Sequence, residues 1–302
     1  MTAPALIWDA SYEVDLGPHV FVTAKYRLTR ERVLEAGLAT EDHFVAPAPA
    51  SRDELGLAHT SEYLTKIEND TLSQSERWQL ELPFNDEVRS AMILSCGGTL
   101  LTARRALADG AALHVGGGFH HAFAGHGEGF CLLNDLAVAA RTLQVTGEAE
   151  RVFILDLDVH HGNGTAAIFA ADPDVFTFSM HQENNYPAAK PRSDIDIGLD
   201  DGVGDDEYMA LLSEALPDAL DAHTPALLLY LAGADPYHED QLGGLALTLD
   251  GLRRRDRFVF DQAAGLGLPV AVVLAGGYAP HLEDTVSIHV ATVEELMEVC
   301  GA

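Results

Sequence analysis

The chain has 302 residues, with 47 acidic side chains against 18 basic ones and a net charge of −29. A hydrophobic share of 47% supplies a full core and excludes disorder as the main state. The charge would repel phosphates, which excludes nucleic acid as a partner.

In chain order, short apolar runs at 5–8, 112–115, 152–155, 175–178, 226–231 and 270–274 read as buried parallel strands, since they lack the alternation of a half-exposed strand. Amphipathic stretches at about 24–37, 86–108, 134–146, 205–221, 248–266 and 281–299 read as the helices between them. Asp205, Asp206 and Glu207 open one helix at its positive end. Gly265, Gly267 and Pro269 close another. Segment 181–204 shows no periodicity and is expected to be a long loop. Arg253, Arg254, Arg255 and Arg257 read as the wet face of a helix. Strand–helix alternation over residues 1–302 predicts a single α/β domain with helices on both faces of a mainly parallel sheet.

Three widely spaced cysteines, Cys96, Cys131 and Cys300, build no disulfide framework and suit a reducing compartment. Residues 1–10 lack the basic-then-apolar pattern of a signal peptide, and no apolar run reaches membrane-spanning length. These features predict a cytoplasmic protein with no membrane association, and leave the oligomeric state open.

Of 14 histidines, seven fall between His114 and His181. Polar clusters follow the predicted strands: Gly116-Gly117-Gly118-Phe119-His120-His121, Asp156-Leu157-Asp158-Val159-His160-His161, Gly233-Ala234-Asp235 and Gly276-Gly277-Tyr278. In an open α/β sheet, ligands bind beyond the carboxyl ends of the strands, so four clusters at one edge predict one shared site. Asp156, Asp158 and His160 leave a strand with period two. They either ligate a metal, with Asp235 as a third ligand, or cap the next helix. His120 and His121, after a glycine turn, suit acid–base work near neutral pH. Tyr278 presents a phenol able to donate to an oxyanion. The set suits metal-assisted hydrolysis of an amide. No GxSxG elbow, P-loop or GxGxxG is found, so serine hydrolase, nucleotide hydrolase and dehydrogenase readings lack support.

These clusters, with Gly129-Phe130-Cys131-Leu132-Leu133-Asn134-Asp135, resemble the zinc-dependent histone deacetylase superfamily. Glu239-Asp240-Gln241-Leu242-Gly243-Gly244-Leu245 and Arg254-Arg255-Asp256 are most similar to its class IV branch and bacterial relatives. The resemblance implies a three-layer α/β/α arginase/deacetylase fold and one catalytic zinc on Asp158, His160 and Asp235. It makes His121 the general base and then acid, His120 its electrostatic partner backed by Asp156, and Tyr278 the oxyanion donor. Asn163 stands where class I members have an aspartate. A neutral amide would hold His121 without favouring its protonated form.

The resemblance also implies structural potassium. An inner site would use Asp156, Asp158, His160, Ser179 and Met180, and an outer site Phe169, Asp172 and Val175. Gly129, Phe130 and Tyr186 would line an acyl-lysine channel, and loop 12–27, with His19, Phe21 and Lys25, part of its rim. The implied substrates are acyl-lysine in proteins, with acetyl or long-chain acyl groups, or small acylated amines such as acetylpolyamines. An arginase-like binuclear manganese hydrolase is disfavoured, because no second carboxylate follows His160 or Asp235 at the required spacing. A silent acyl-lysine binder would have no use for Tyr278.

Overall fold

Runs of Val, Leu, Ile and Phe become neighbouring strands of one parallel sheet in a computed structural model that describes residues 3–301. Among the described residues the strands are β1 (Ala5–Ile7), β2 (Phe44–Val45), β3 (Ala111–His114), β4 (Val152–Asp156), β5 (Val175–Gln182), β6 (Ile195–Leu199), β7 (Leu227–Leu231) and β8 (Val270–Val273). Their spatial order is β2-β1-β3-β8-β7-β4-β5-β6. Every residue of β3, β4, β7 and β8 is buried, as a sheet covered on both faces requires.

The helices are α1 (Ala24–Glu35), α2 (Arg52–Ala58), α3 (Ser61–Glu68), α4 (Gln74–Leu80), α5 (Asp86–Asp109), α6 (Asp135–Thr146), α7 (Asn163–Phe169), α8 (Asp205–His223), α9 (Leu249–Leu266) and α10 (Leu282–Cys300). α5 lies across β1, β3, β8 and β7 and packs on α6. α1, α10, α9 and α8 form a second packed row. The result is the expected three-layer α/β arrangement. No helix among the described residues is long and apolar enough to cross a membrane.

Two expectations need correction. Segment 181–204 is not all loop, because β5 runs on to Gln182 and β6 occupies Ile195–Leu199. β6 lies at the sheet edge and alternates half-buried Ile195 and Ile197 with exposed Asp196 and Gly198, so it carries no continuous apolar run. Arg255 does not share the wet face of α9, being 0% exposed. It donates to the carbonyls of Leu157 (3.2 Å) and Gly233 (2.7 Å) and to Asp256 (2.9 Å).

The short helices α2 and α4 carry a signal that strand–helix alternation overlooks. Each opens on a capping box, Ser51 with Glu54 and Ser73 with Glu76, which satisfies the free amides of the first turn. The four adjacent central strands β3, β8, β7 and β4 bring all four polar clusters to the carboxyl edge of the sheet.

Candidate active site

β3 ends at His114, and the chain then turns through Gly117 and Gly118 with φ of 75° and 86°. A Cβ at Gly118 would lie 2.5 Å from that of Ala275, so glycine is required for the loops after β3 and β8 to meet. Asp135, at the start of α6, fixes this turn by accepting from the amides of Gly118 (3.0 Å) and Phe119 (2.7 Å).

His120 and His121 emerge from the turn into a buried relay. His120 Nδ1 lies 2.6 Å from Asp156 Oδ2, the two Nε2 atoms are 3.1 Å apart, and His121 Nδ1 is 2.7 Å from Asn163 Oδ1. Burial alone would lower the pKa of His120, but the charges of Asp156 and Asp158 outweigh it and raise the group to about 9. His121 is driven well below its ordinary value by burial and by the neighbouring charges of His120 and His160. One imidazole is therefore charged and its neighbour neutral, the division an acid–base pair needs.

Asp158, His160 and Asp235 converge beside the relay, with ligand atoms all within 4.8 Å of one another. His160 Nδ1 is 3.0 Å from Asp158 Oδ1 and 3.3 Å from Asp235 Oδ2. Asp235 Oδ2 is buried without a hydrogen-bond partner. Burial, then the charge of Asp158, pushes the Asp235 carboxyl up to about 7. Two buried carboxylates, one with an orphaned oxygen, and an imidazole form a donor set that fits a divalent ion such as zinc. A Cβ at Gly276 would collide with Asp235 Oδ2 and Asp158 Oδ2, so the loop after β8 approaches the set only as glycine.

The cleft above the set is lined by His121, Gly129, Phe130, His160, Tyr186 and Tyr278, with Glu81, Asn185 and Leu242 at its mouth. Phe130 and Tyr278 meet edge to face at 5.9 Å, and Tyr186 stands against His121 at 4.9 Å. His19 and Phe21 pack on Phe130, as a rim segment would. Lys25 does not belong to that rim. It is 0% exposed, and its ammonium donates to Ala275 O at 2.8 Å beneath the Tyr278 ring. Burial lowers its pKa to about 8.

Of the residues expected around potassium, Asp156 and Ser179 are register partners on β4 and β5, and Met180 follows Ser179. Ser179 Oγ is 3.0 Å from His181 Nδ1. The carbonyls of Phe169 and Asp172 accept from the amides of Asp172 and Val175 in the turn before β5. Sequence reasoning missed Glu128, which touches Asn163 and Tyr186, and Arg255, which ties the loops after β4 and β7.

A family model described as the histone deacetylase domain matches residues 19–293. An uncharacterised protein of Picosynechococcus is 45% identical over 271 residues, covering 90% of each chain. Histone deacetylase 2 of Arabidopsis thaliana is 30% identical over 287 residues, covering 91% of this chain and 74% of its own. The crystal structure of the HDA15 HD domain is similar with a TM-score of 0.80 at 25% identity, covering 100% of this chain and 90% of that one. Fold and site together define a hydrolase of the deacetylase type. The chain belongs to the histone deacetylase domain family.

Proposed function

We propose that residues 1–302 form one catalytic domain, close to the class IV branch, that hydrolyses the amide of N-acyl-lysine with one zinc ion on Asp158, His160 and Asp235. The observation that carries this reading is His121 set 5.8 Å, ring to ring, from His160 of the metal set, with His120 Nε2 3.1 Å from His121 Nε2 and Asp156 2.6 Å behind His120. Zinc would supply Lewis acidity, lowering the pKa of a water and polarising the acyl carbonyl. His121 Nε2 accepts a proton from the attacking water and returns it to the departing lysine amine. His120, held charged by Asp156, stabilises negative charge as it develops. Tyr278 donates its phenol hydrogen to the oxyanion. Phe130 and Tyr186 bury the lysine methylenes, and the Gly129 carbonyl is available to the substrate amide N–H.

Structural potassium at the inner and outer sites named above completes the proposed ion content, and a cytoplasmic location suits the three unpaired cysteines. Acyl length is set by an apolar cavity beside the site, lined by Tyr12, Leu16, Phe21, Tyr26, Met92 and Phe119 among others. At about 20 Å³ it holds roughly one water-sized group. The methyl of an acetyl group is of that size, and a long acyl chain needs those side chains to move. Glu81 at the mouth favours a cationic neighbour, which keeps small acylated polyamines as a second substrate class.

The test compares release of acetate and of longer acyl groups from a peptide lysine and from a free polyamine, together with zinc content. Turnover that follows zinc content supports the reading. A protein with zinc restored and no turnover on any of these substrates refutes it.

A further inference from the structure

Glu128 sits outside every step described so far, yet it is 9% exposed and touches two parts of the site. Its Oε1 accepts from Asn163 Nδ2 at 2.5 Å and from the Tyr186 hydroxyl at 3.0 Å. Its Oε2 accepts from Gln79 Nε2 at 2.9 Å and lies 3.3 Å from His126 Nε2. The backbone is pinned as well, since Glu128 and Cys131 exchange amide hydrogen bonds of 3.1 and 2.9 Å around the turn that carries Gly129 and Phe130.

We infer that Glu128 is a positioning residue that dictates which nitrogen of His121 carries the proton and, through the same oxygen, holds Tyr186 as the wall of the channel. A carboxylate only accepts, so it compels the Asn163 amide to turn its NH2 edge toward Glu128. The Asn163 carbonyl must then face His121, and it can only accept. Nδ1 of His121 therefore bears the hydrogen, and Nε2 keeps its lone pair, 3.1 Å from His120 Nε2. An asparagine alone imposes no such order, because its amide can rotate by half a turn and present a donor instead. With a donor facing Nδ1, the hydrogen would be pressed onto Nε2, against His120 Nε2 at 3.1 Å, and the base would be lost. Glu128 supplies the missing polarity from one residue further out. The Tyr186 hydroxyl, donating to the same oxygen, couples the width of the channel to the state of the relay.

The same geometry explains why asparagine occupies position 163. An aspartate there would face a carboxylate across a buried contact of 2.5 Å, with no hydrogen between the two.

The inference rests on His121 being the base, and its test separates the two. In zinc-loaded protein carrying 15N-histidine, with the His121 signals assigned by His121→Gln, Nε2 is expected to be the unprotonated nitrogen. In Glu128→Ala the unprotonated population should shift toward Nδ1. This readout needs no turnover, so it decides the role of Glu128 even if no acyl substrate is hydrolysed.

Where turnover is present, Asn163→Asp should lower kcat/KM by about a hundredfold. Adding Glu128→Gln should recover at least tenfold of that loss, because the glutamine NH2 can donate to the new aspartate. If Glu128→Ala proves poorly folded, Glu128→Gln in the Asn163→Asp background still decides the question. An unchanged His121 tautomer in folded Glu128→Ala, or losses that simply multiply in the double variant, would overturn the inference.

Discussion

Arg255 and Asp256, neighbours on α9, form an ion pair of 2.8 Å in which neither side chain is exposed beyond 1%. Asp256 is further held by the hydroxyls of Tyr230 (2.5 Å) and Thr292 (2.6 Å). Arg255 spends its other donors on carbonyls one residue before Asp158 and two residues before Asp235. A single guanidinium thus cross-ties the two loops that carry proposed zinc ligands.

Replacing Arg255 by methionine keeps the volume and removes these ties, leaving the Asp256 charge buried without its cation. The expected loss is about 3–5 kcal/mol of stability, the range for breaking one side of a buried pair. Zinc affinity should fall as well, because the loops after β4 and β7 lose their common anchor. Urea denaturation and a zinc titration check the two effects separately.

Zinc itself should reveal the strain at Asp235. Adding the ion should raise Tm, since it binds only the folded donor set. Asp235→Ala should abolish that rise. In the metal-free protein the change removes a carboxyl that burial and Asp158 disfavour in its charged form, but it also takes the acceptor from the buried Val159 amide at 2.9 Å. The two effects oppose each other, and the net loss should be small. Calorimetry with and without a chelator gives both readings. A zinc-dependent rise in Tm that persists in Asp235→Ala would contradict this account.

Tyr278→Phe leaves the packing of the ring on Phe21 and Phe130 unchanged and deletes only the hydroxyl. If the phenol donates to the oxyanion, kcat should drop by about a hundredfold or more with KM little changed. Steady-state kinetics on an acetyl-lysine peptide reads this directly, and zinc content should stay at the parent level.

Acid should destabilise the protein through buried neutral histidines. His59 accepts from the amide of Asn134 at Nε2 (3.0 Å), which leaves Nδ1–H to donate to Phe123 O (3.1 Å). A second proton has no place there, and burial lowers the pKa to about 4. His114, between Thr99 and Tyr12, is lowered to about 3 by burial. A depressed imidazole pKa means the unfolded chain binds the proton more readily. The stability is therefore complete above about pH 6.5 and is lost as the pH falls toward 4. For His59 the loss amounts to on the order of 3 kcal/mol. His59→Gln should flatten the fall in Tm between pH 6.5 and 4, and an unaltered slope would show that other groups drive it.

The parts legible in the sequence were those built from local signals. Strands β4 and β7 are continuous apolar runs that end in Asp156-Leu157-Asp158 and Gly233-Ala234-Asp235, and both the run and its polar end survive folding. Arg255 was misread because a run of arginines suggests solvent. Yet Leu252, Arg255, Asp256, Val259, Phe260 and Ala263 share one helical stripe, and every one of them is buried. The apolar stripe, and not the charge of its neighbours, decides that Arg255 points inward. Glu128 offered no such cue. Its partner Asn163 is 35 residues away and Tyr186 is 58 away, so their meeting depends wholly on how β4 and β5 are laid side by side.

The two rims of the sheet carry a further consequence. β2 offers only two residues to a would-be partner strand. β6 is longer, but exposed Asp194, Asp196, Asp200 and Asp201 lie along or beside it. A like-charged copy of the chain meets repulsion just where unpaired backbone amides would otherwise invite strand addition. Part of the acidic surplus thereby guards against edge-to-edge aggregation, and concentrated protein should resist fibrillar self-association for as long as these carboxylates stay ionised.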